Sequence, residues 1–171
     1  MHTFRIDNSP LIVVKTTTSF IQDHLYLKFN IVVTLAIQYL TKMQLHVLLI
    51  DASETIFQHL NRMIQKLKNI HLMGHAFTIF EAKNFLKKET LNVVILDVDL
   101  KEENGIDLLS FINSNKPLIK VIIFSNNSNS FYRKKCKSLG AYAFFDKSYE
   151  FDKLPDCLEE ILQNNKNAKP Q

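Results

Sequence analysis

The sequence is poor in cysteine, glycine and proline, with two, three and four of them among 171 residues. Two cysteines, Cys136 and Cys157, are too few for a disulfide framework, and their separation fits no metal-ligand pattern. A reducing cytoplasm is therefore the expected setting. So little glycine and proline leaves no room for a long flexible linker. Long apolar runs are also missing. The longest, residues 31–37, is broken by Thr34 and flanked by Asn30 and Gln38. It falls short of the roughly 20 apolar residues that a membrane helix needs. No basic segment leads into an extended apolar one, so a secretory signal is not expected. Nor does one charge dominate. The net charge is +4, and residues 43–171 carry 17 basic against 15 acidic side chains. That balance makes no case for nucleic acid or a membrane as partner.

What is present is a globular composition, 46% apolar and 22% charged, on a chain long enough for one domain with a real core. The most informative stretch is residues 93–105. Val93, Val94, Ile95 and Leu96 run straight into Asp97. A short, β-branched apolar run bounded by polar residues reads as a fully buried parallel strand. A carboxylate just past it lies where open α/β sheets place their ligand chemistry. Asn104-Gly105 ends the loop, glycine serving a turn conformation that other residues avoid.

The same pattern recurs from Gln44 onward. Residues 45–50 form a strand ending at Asp51, and Ser53 caps a helix carrying Ile56, Leu60, Ile64 and Leu67 through Asn69. Residues 70–73 form a shorter strand closed by Gly74. Thr78 and Glu81 form a capping box before a helix with Ala82, Phe85 and Leu86 on one face. Ile106, Leu109 and Ile112 mark the next helix. Residues 121–124 form a strand ending at Ser125, and a helix follows to Leu139, with Gly140 suited to its C′ position. Residues 142–145 form a strand ending at Asp146-Lys147. Residues 152–163 form the last helix, with Pro155 in its first turn, and residues 164–171 a frayed polar tail. Five strand–helix units in alternation imply a parallel sheet covered on both faces.

Residues 1–42 show no comparable order. Residues 11–14 and 31–33 read as strands, and Met43 directly precedes the first clear strand. The expected domains are an extension, 1–42, that is not part of the natural protein if translation starts at Met43, a body, 43–164, and a tail, 165–171.

Asp51, Asp97 with Asp99, Ser125 and Lys147 stand at four strand ends, which converge on one edge of a parallel sheet. A carboxylate nucleophile, a hydroxyl, a lysine and a further acid form a phosphoryl-transfer site. A magnesium ion suits such oxygen ligands. This constellation resembles the receiver domain of two-component response regulators. Asp97 with Asn104-Gly105 is similar to the family's phosphoacceptor loop, Ser125 to its conserved hydroxyl, Lys147 to its invariant lysine and Phe144 to its aromatic switch residue. Gly140-Ala141 matches the pair before the last strand. Residues 142–148 with 151–153 look most like single-domain receivers.

The resemblance implies a flavodoxin-like (βα)5 fold of strand order 2-1-3-4-5. It implies phosphoryl acceptance on Asp97 from a histidine kinase or phosphotransfer protein. It implies magnesium held by Asp51, Asp97 and the Asp99 carbonyl, and a switch in which Ser125 moves inward and Phe144 follows. Output then goes by protein contact or onward phosphotransfer to an unidentified downstream protein. Catalysis is limited to self-phosphorylation and hydrolysis. One position departs from the pattern: Ala52 replaces the second of two adjacent acids, usually a direct metal ligand. The Asp99 side chain is a candidate substitute. Ala52 also supports an alternative, a pseudo-receiver that binds partners without phosphorylation. A second alternative, a haloacid-dehalogenase-like phosphatase built on Asp97-Val98-Asp99, conflicts with Lys101 and with the acidic strand end preceding the nucleophile. Arg133, Lys134, Lys135 and Lys137 read as a solvated helix face, and His75 as structural.

Overall fold

The computed structural model describes residues 17–42, 44–88, 90–100 and 104–167. The chain divides into two units between Thr41 and Lys42. The first contains all but the last residue of α1 (Thr17–Lys42), whose residues 24–37 are exposed. The strand expected at residues 31–33 is therefore a misreading, since Ile31, Val32 and Val33 lie inside this helix. β-branched residues lower helix propensity only slightly, whereas a strand with no neighbour leaves its backbone groups without partners. The strand expected at residues 11–14, and Lys101, lie outside the described residues. No helix among the described residues is long and apolar enough to cross a membrane.

The second unit holds a five-stranded parallel sheet in the order β2-β1-β3-β4-β5. Its strands are β1 (Leu45–Ile50), β2 (Ile70–Ala76), β3 (Val93–Leu96), β4 (Lys120–Ser125) and β5 (Ala143–Asp146). The crossovers are α2 (Glu54–Ile64), α3 (Ile79–Lys88), α4 (Gly105–Asn115) and α5 (Ser130–Ser138), and α6 (Leu154–Asn167) closes the fold. The expected architecture and strand order are those observed.

The alternating pleat divides the core into two layers. Leu48, Ile50, Val94, Leu96, Val121 and Ile123 face α3, α4 and α5, packing on Ala82, Leu86, Leu109, Ile112 and Cys136. Val47, Leu49, Val93, Ile95, Ile122 and Phe124 face α2 and α6, packing on Leu60, Ile64, Leu158 and Ile161. The three central strands are buried on both sides, which is why they read as unbroken apolar runs.

The caps act as expected. Ser53 Oγ accepts from Ile56 N at 3.4 Å. Thr78 Oγ1 accepts from Glu81 N at 3.2 Å, and the Glu81 carboxylate from Phe77 N at 2.8 Å. Gly140, at φ +90°, follows the C-cap Leu139.

Four details differ from the sequence reading. β2 runs to Ala76, with Gly74 inside it because the Phe85 ring lies 2.4 Å from where a Cβ would stand. α2 stops at Ile64, and Asn69 turns the chain with φ 63°. The last helix opens as a 3-10 turn (Phe151–Lys153), becomes α-helical at Leu154, and continues to Asn167. Gly105 has no positive φ. It is the first residue of α4, capped by Asn104, and a Cβ there would stand 2.6 Å from Val98 Cα and 2.7 Å from the Asp97 carbonyl oxygen. Close backbone approach, not turn conformation, is what requires glycine.

Candidate functional site

The sheet register brings the strand ends level. Ile50 pairs with Leu96, Leu96 with Ile123, and Ser125 with Asp146. Asp51 and Asp97 each stand one residue past their strand, and Lys147 one residue past β5. Their backbones continue the ladder: Asp97 N donates to Ile50 O at 2.9 Å and Lys147 N to Ser125 O at 3.2 Å.

These placements produce one buried cluster. The Lys147 ammonium lies 2.5 Å from Asp97 Oδ2 and 2.6 Å from Asp51 Oδ2. All three side chains are at most 10% exposed. One cation joins two carboxylates that would otherwise repel each other in a poorly solvated space. Asp97 Oδ1 accepts from Asp99 N at 3.0 Å, and Asp51 Oδ1 from Ser53 N at 2.8 Å. Asp51 Oδ2 is buried and has no hydrogen-bond partner beyond its charge contact with Lys147. Burial raises the Asp51 carboxyl above its usual value, against the Lys147 ammonium and the Ser53 amide, which lower it. His75 supports the Asp51 backbone, its Nε2 lying 2.7 Å from the carbonyl oxygen. The ring is stacked on Phe57 and tilted against Phe77, which is the structural role expected.

Ser125 and Asp99 sit beside this cluster. Ser125 is fully buried, and its Oγ donates to Asp99 Oδ2 at 2.8 Å while accepting from Asn127 N at 3.2 Å. The Asp99 side chain is thus engaged by Ser125 through Oδ2. Ala52 contributes no oxygen. Among the described residues no three metal-ligating side chains converge. The Asp51 Oδ2 left without a hydrogen bond and the Asp97 carboxylate still meet at one cation, so the donor set fits a hard divalent ion with two protein carboxylates and retained waters.

Sequence reasoning missed a second layer around Phe144. Lys134, Lys135 and Lys137 are exposed, as read, whereas Arg133 on the same helix is half-exposed and engaged by its neighbours. Its Nη1 donates to Phe144 O at 3.0 Å, its Nε to Ser128 O at 3.1 Å, and its Nη2 to Glu150 at 2.5 Å. The guanidinium lies 4.7 Å from the centre of the half-buried Phe144 ring. The Arg133 guanidinium holds the Glu150 carboxyl down at about 2. Asp146 accepts from the Ser128 hydroxyl, chiefly for which its carboxyl is lowered, and from Ser148 N and Tyr149 N. In the sequence, Arg133 is hidden within a basic run. Only the adjacency of Asp146 to Lys147 offered a signal.

The profile of the response regulator receiver domain matches residues 47–159. The chain is 29% identical over 138 residues to a protein-glutamate methylesterase/protein-glutamine glutaminase of Clostridium acetobutylicum, covering 74% of this chain and 40% of that protein. It is 22% identical to the transcriptional regulatory protein MalR of Bacillus subtilis, covering 71% and 52%. The chain therefore spans about half or less of the length of these relatives. Among solved structures, the response regulator domain of Thermotoga maritima CheB superposes with a TM-score of 0.61 at 21% identity, covering 74% of this chain and 99% of that one. The isolated receiver domain of RcsB from Salmonella enterica serovar Typhimurium, with the phosphomimetic BeF3−, gives 0.66 at 21%, covering 75% and 94%.

Proposed function

The chain belongs to the response regulator receiver domain family, and from that premise we propose that Asp97 accepts a phosphoryl group from a histidine kinase or phosphotransfer protein. The observation that carries this reading is the Lys147 ammonium set between Asp97 and Asp51. An Asp97 carboxylate oxygen forms the bond to phosphorus as the donor's bond to phosphorus breaks, and that electron pair leaves with the donor. Lys147 offsets the charge gathered on the transferred oxygens. Asp51 and Asp97 would hold a magnesium ion, which neutralises further phosphoryl charge when bound. Ser125 and Phe144 are the proposed switch, reading out on the surface of α5, β5 and α6 by a local electrostatic change. The proposed domain is residues 43–164. Its chemistry is limited to accepting and losing the phosphoryl group, and its output is protein contact or onward transfer.

Intact-mass analysis after incubation with a small phosphoryl donor and magnesium tests this reading. A single phosphoryl adduct is expected on the wild type and none on Asp97→Asn. Ala52 favours a second reading, a binding module that works without phosphorylation. No adduct on folded wild type at any magnesium concentration would select it.

A further inference from the structure

Ser125 has one hydroxyl proton, and in this structure it is already committed to the Asp99 carboxylate, 2.8 Å away. Its acceptor side is also engaged, by Asn127 N at 3.2 Å. The hydroxyl is fully buried, so water does not offer it another acceptor. Asp99 is tied to the phosphoacceptor from the other end, its N–H donating to Asp97 Oδ1 at 3.0 Å. A phosphoryl group on Asp97 that sought the Ser125 proton would meet the exposed Asp99 carboxylate already holding it. Beside Asp99 lies an open cleft of about 550 Å³, walled by Val98, Asn104, Tyr132 and the cationic Lys135.

We propose that Asp99 is a positioning residue that holds Ser125 in the unphosphorylated chain, and that phosphorylation works by exchange. Ser125 Oγ–H leaves Asp99 Oδ2 and donates to a phosphoryl oxygen. The freed carboxylate moves into the cleft toward Lys135 on α5. This assigns the Asp99 side chain to the switch instead of to the metal, and it sets a threshold, since the incoming group must outcompete a resident carboxylate. The inference rests on the reading that Asp97 accepts a phosphoryl group.

Beryllofluoride with magnesium is the probe, titrated into the full-length wild type, Asp99→Ala, Asp99→Asn, Ser125→Ala and the Asp99→Ala/Ser125→Ala double variant. Asp99→Ala is expected to bind about tenfold tighter than wild type, the scale of a charge-assisted hydrogen bond. That gain is expected to vanish in the Ser125→Ala background. Asp99→Asn, which keeps an acceptor but loses the charge, is expected to gain only part of that. Equal gains in both backgrounds, equal gains for Ala and Asn, or no gain at all would overturn the exchange while leaving acceptance by Asp97 standing. Failure of every protein to bind would overturn both.

Discussion

Lys147→Met would leave Asp51 and Asp97 facing each other without their shared cation. Breaking a buried ion pair from one side costs about 3–5 kcal/mol, which urea unfolding at pH 7 would measure. The deficit should shrink in acid. A carboxyl raised in the folded state, as Asp51 already is, binds its proton more tightly folded than unfolded. Its stabilising contribution is full below the unfolded value and is lost as pH rises through the folded one. At Gly105 the three atoms that a Cβ would meet are all backbone, so none can rotate away. Gly105→Ala is expected to cost about 1–3 kcal/mol, to shift the Asp97 carbonyl, and to slow adduct formation in the mass assay. Asp51, Asp97 and Ser125 stand out in the sequence because each follows an apolar run directly, and Lys147 because it stands one residue beyond the last such run. The bond between Ser125 and Asp99 was not, since nothing in the spacing states where an exposed side chain turns.

One side chain bonds to three of the elements around Phe144. Arg133 on α5 reaches the β4–α5 loop, β5 and the turn before α6 through Ser128, Phe144 and Glu150. Arg133→Ala is expected to cost about 1–2 kcal/mol, since it removes charge-assisted bonds only partly shielded from water. It should also broaden the resonance of a fluorine-labelled Phe144 ring, whose packing it loosens. Glu150 adds a pH dependence of known sign. Its carboxyl is lowered from 4.5 to about 2, so its contribution is complete above about 4.5 and is lost as pH falls toward 2. Melting curves across that range should fall less steeply for Glu150→Gln than for wild type. Strand and helix positions were readable here from periodicity. The clamp was not, because its partners are 11 and 17 residues apart from Arg133 in the chain and meet only when β5 pairs with β4.

In the whole molecule, the sheet and both core layers are drawn from residues 45–162. Residues 43–171 alone are therefore expected to fold and to unfold in urea in one cooperative transition. A broad loss of signal with no folded baseline would show that this stretch does not hold the fold by itself. The apolar side chains exposed on α1, Leu25, Leu27, Phe29 and Leu35 among them, predict that the shorter chain is also the less prone to associate.

Periodicity alone settled the alternation of strands and helices, the burial of the central strands and the common edge at which the polar residues stand. These follow from local rules: a buried parallel strand must be apolar on both faces, and a crossover helix must carry one apolar stripe. Local rules failed at residues 31–33, where β-branched composition resembles a strand and only the hydrogen bonding of a long helix decides otherwise. The tertiary structure alone decided which charges meet. It set Lys147 between two carboxylates, gave the Ser125 proton to Asp99, and turned Arg133 inward onto Phe144. Those contacts join residues far apart in the chain, and their energies depend on distance and burial, which exist only once the chain has folded.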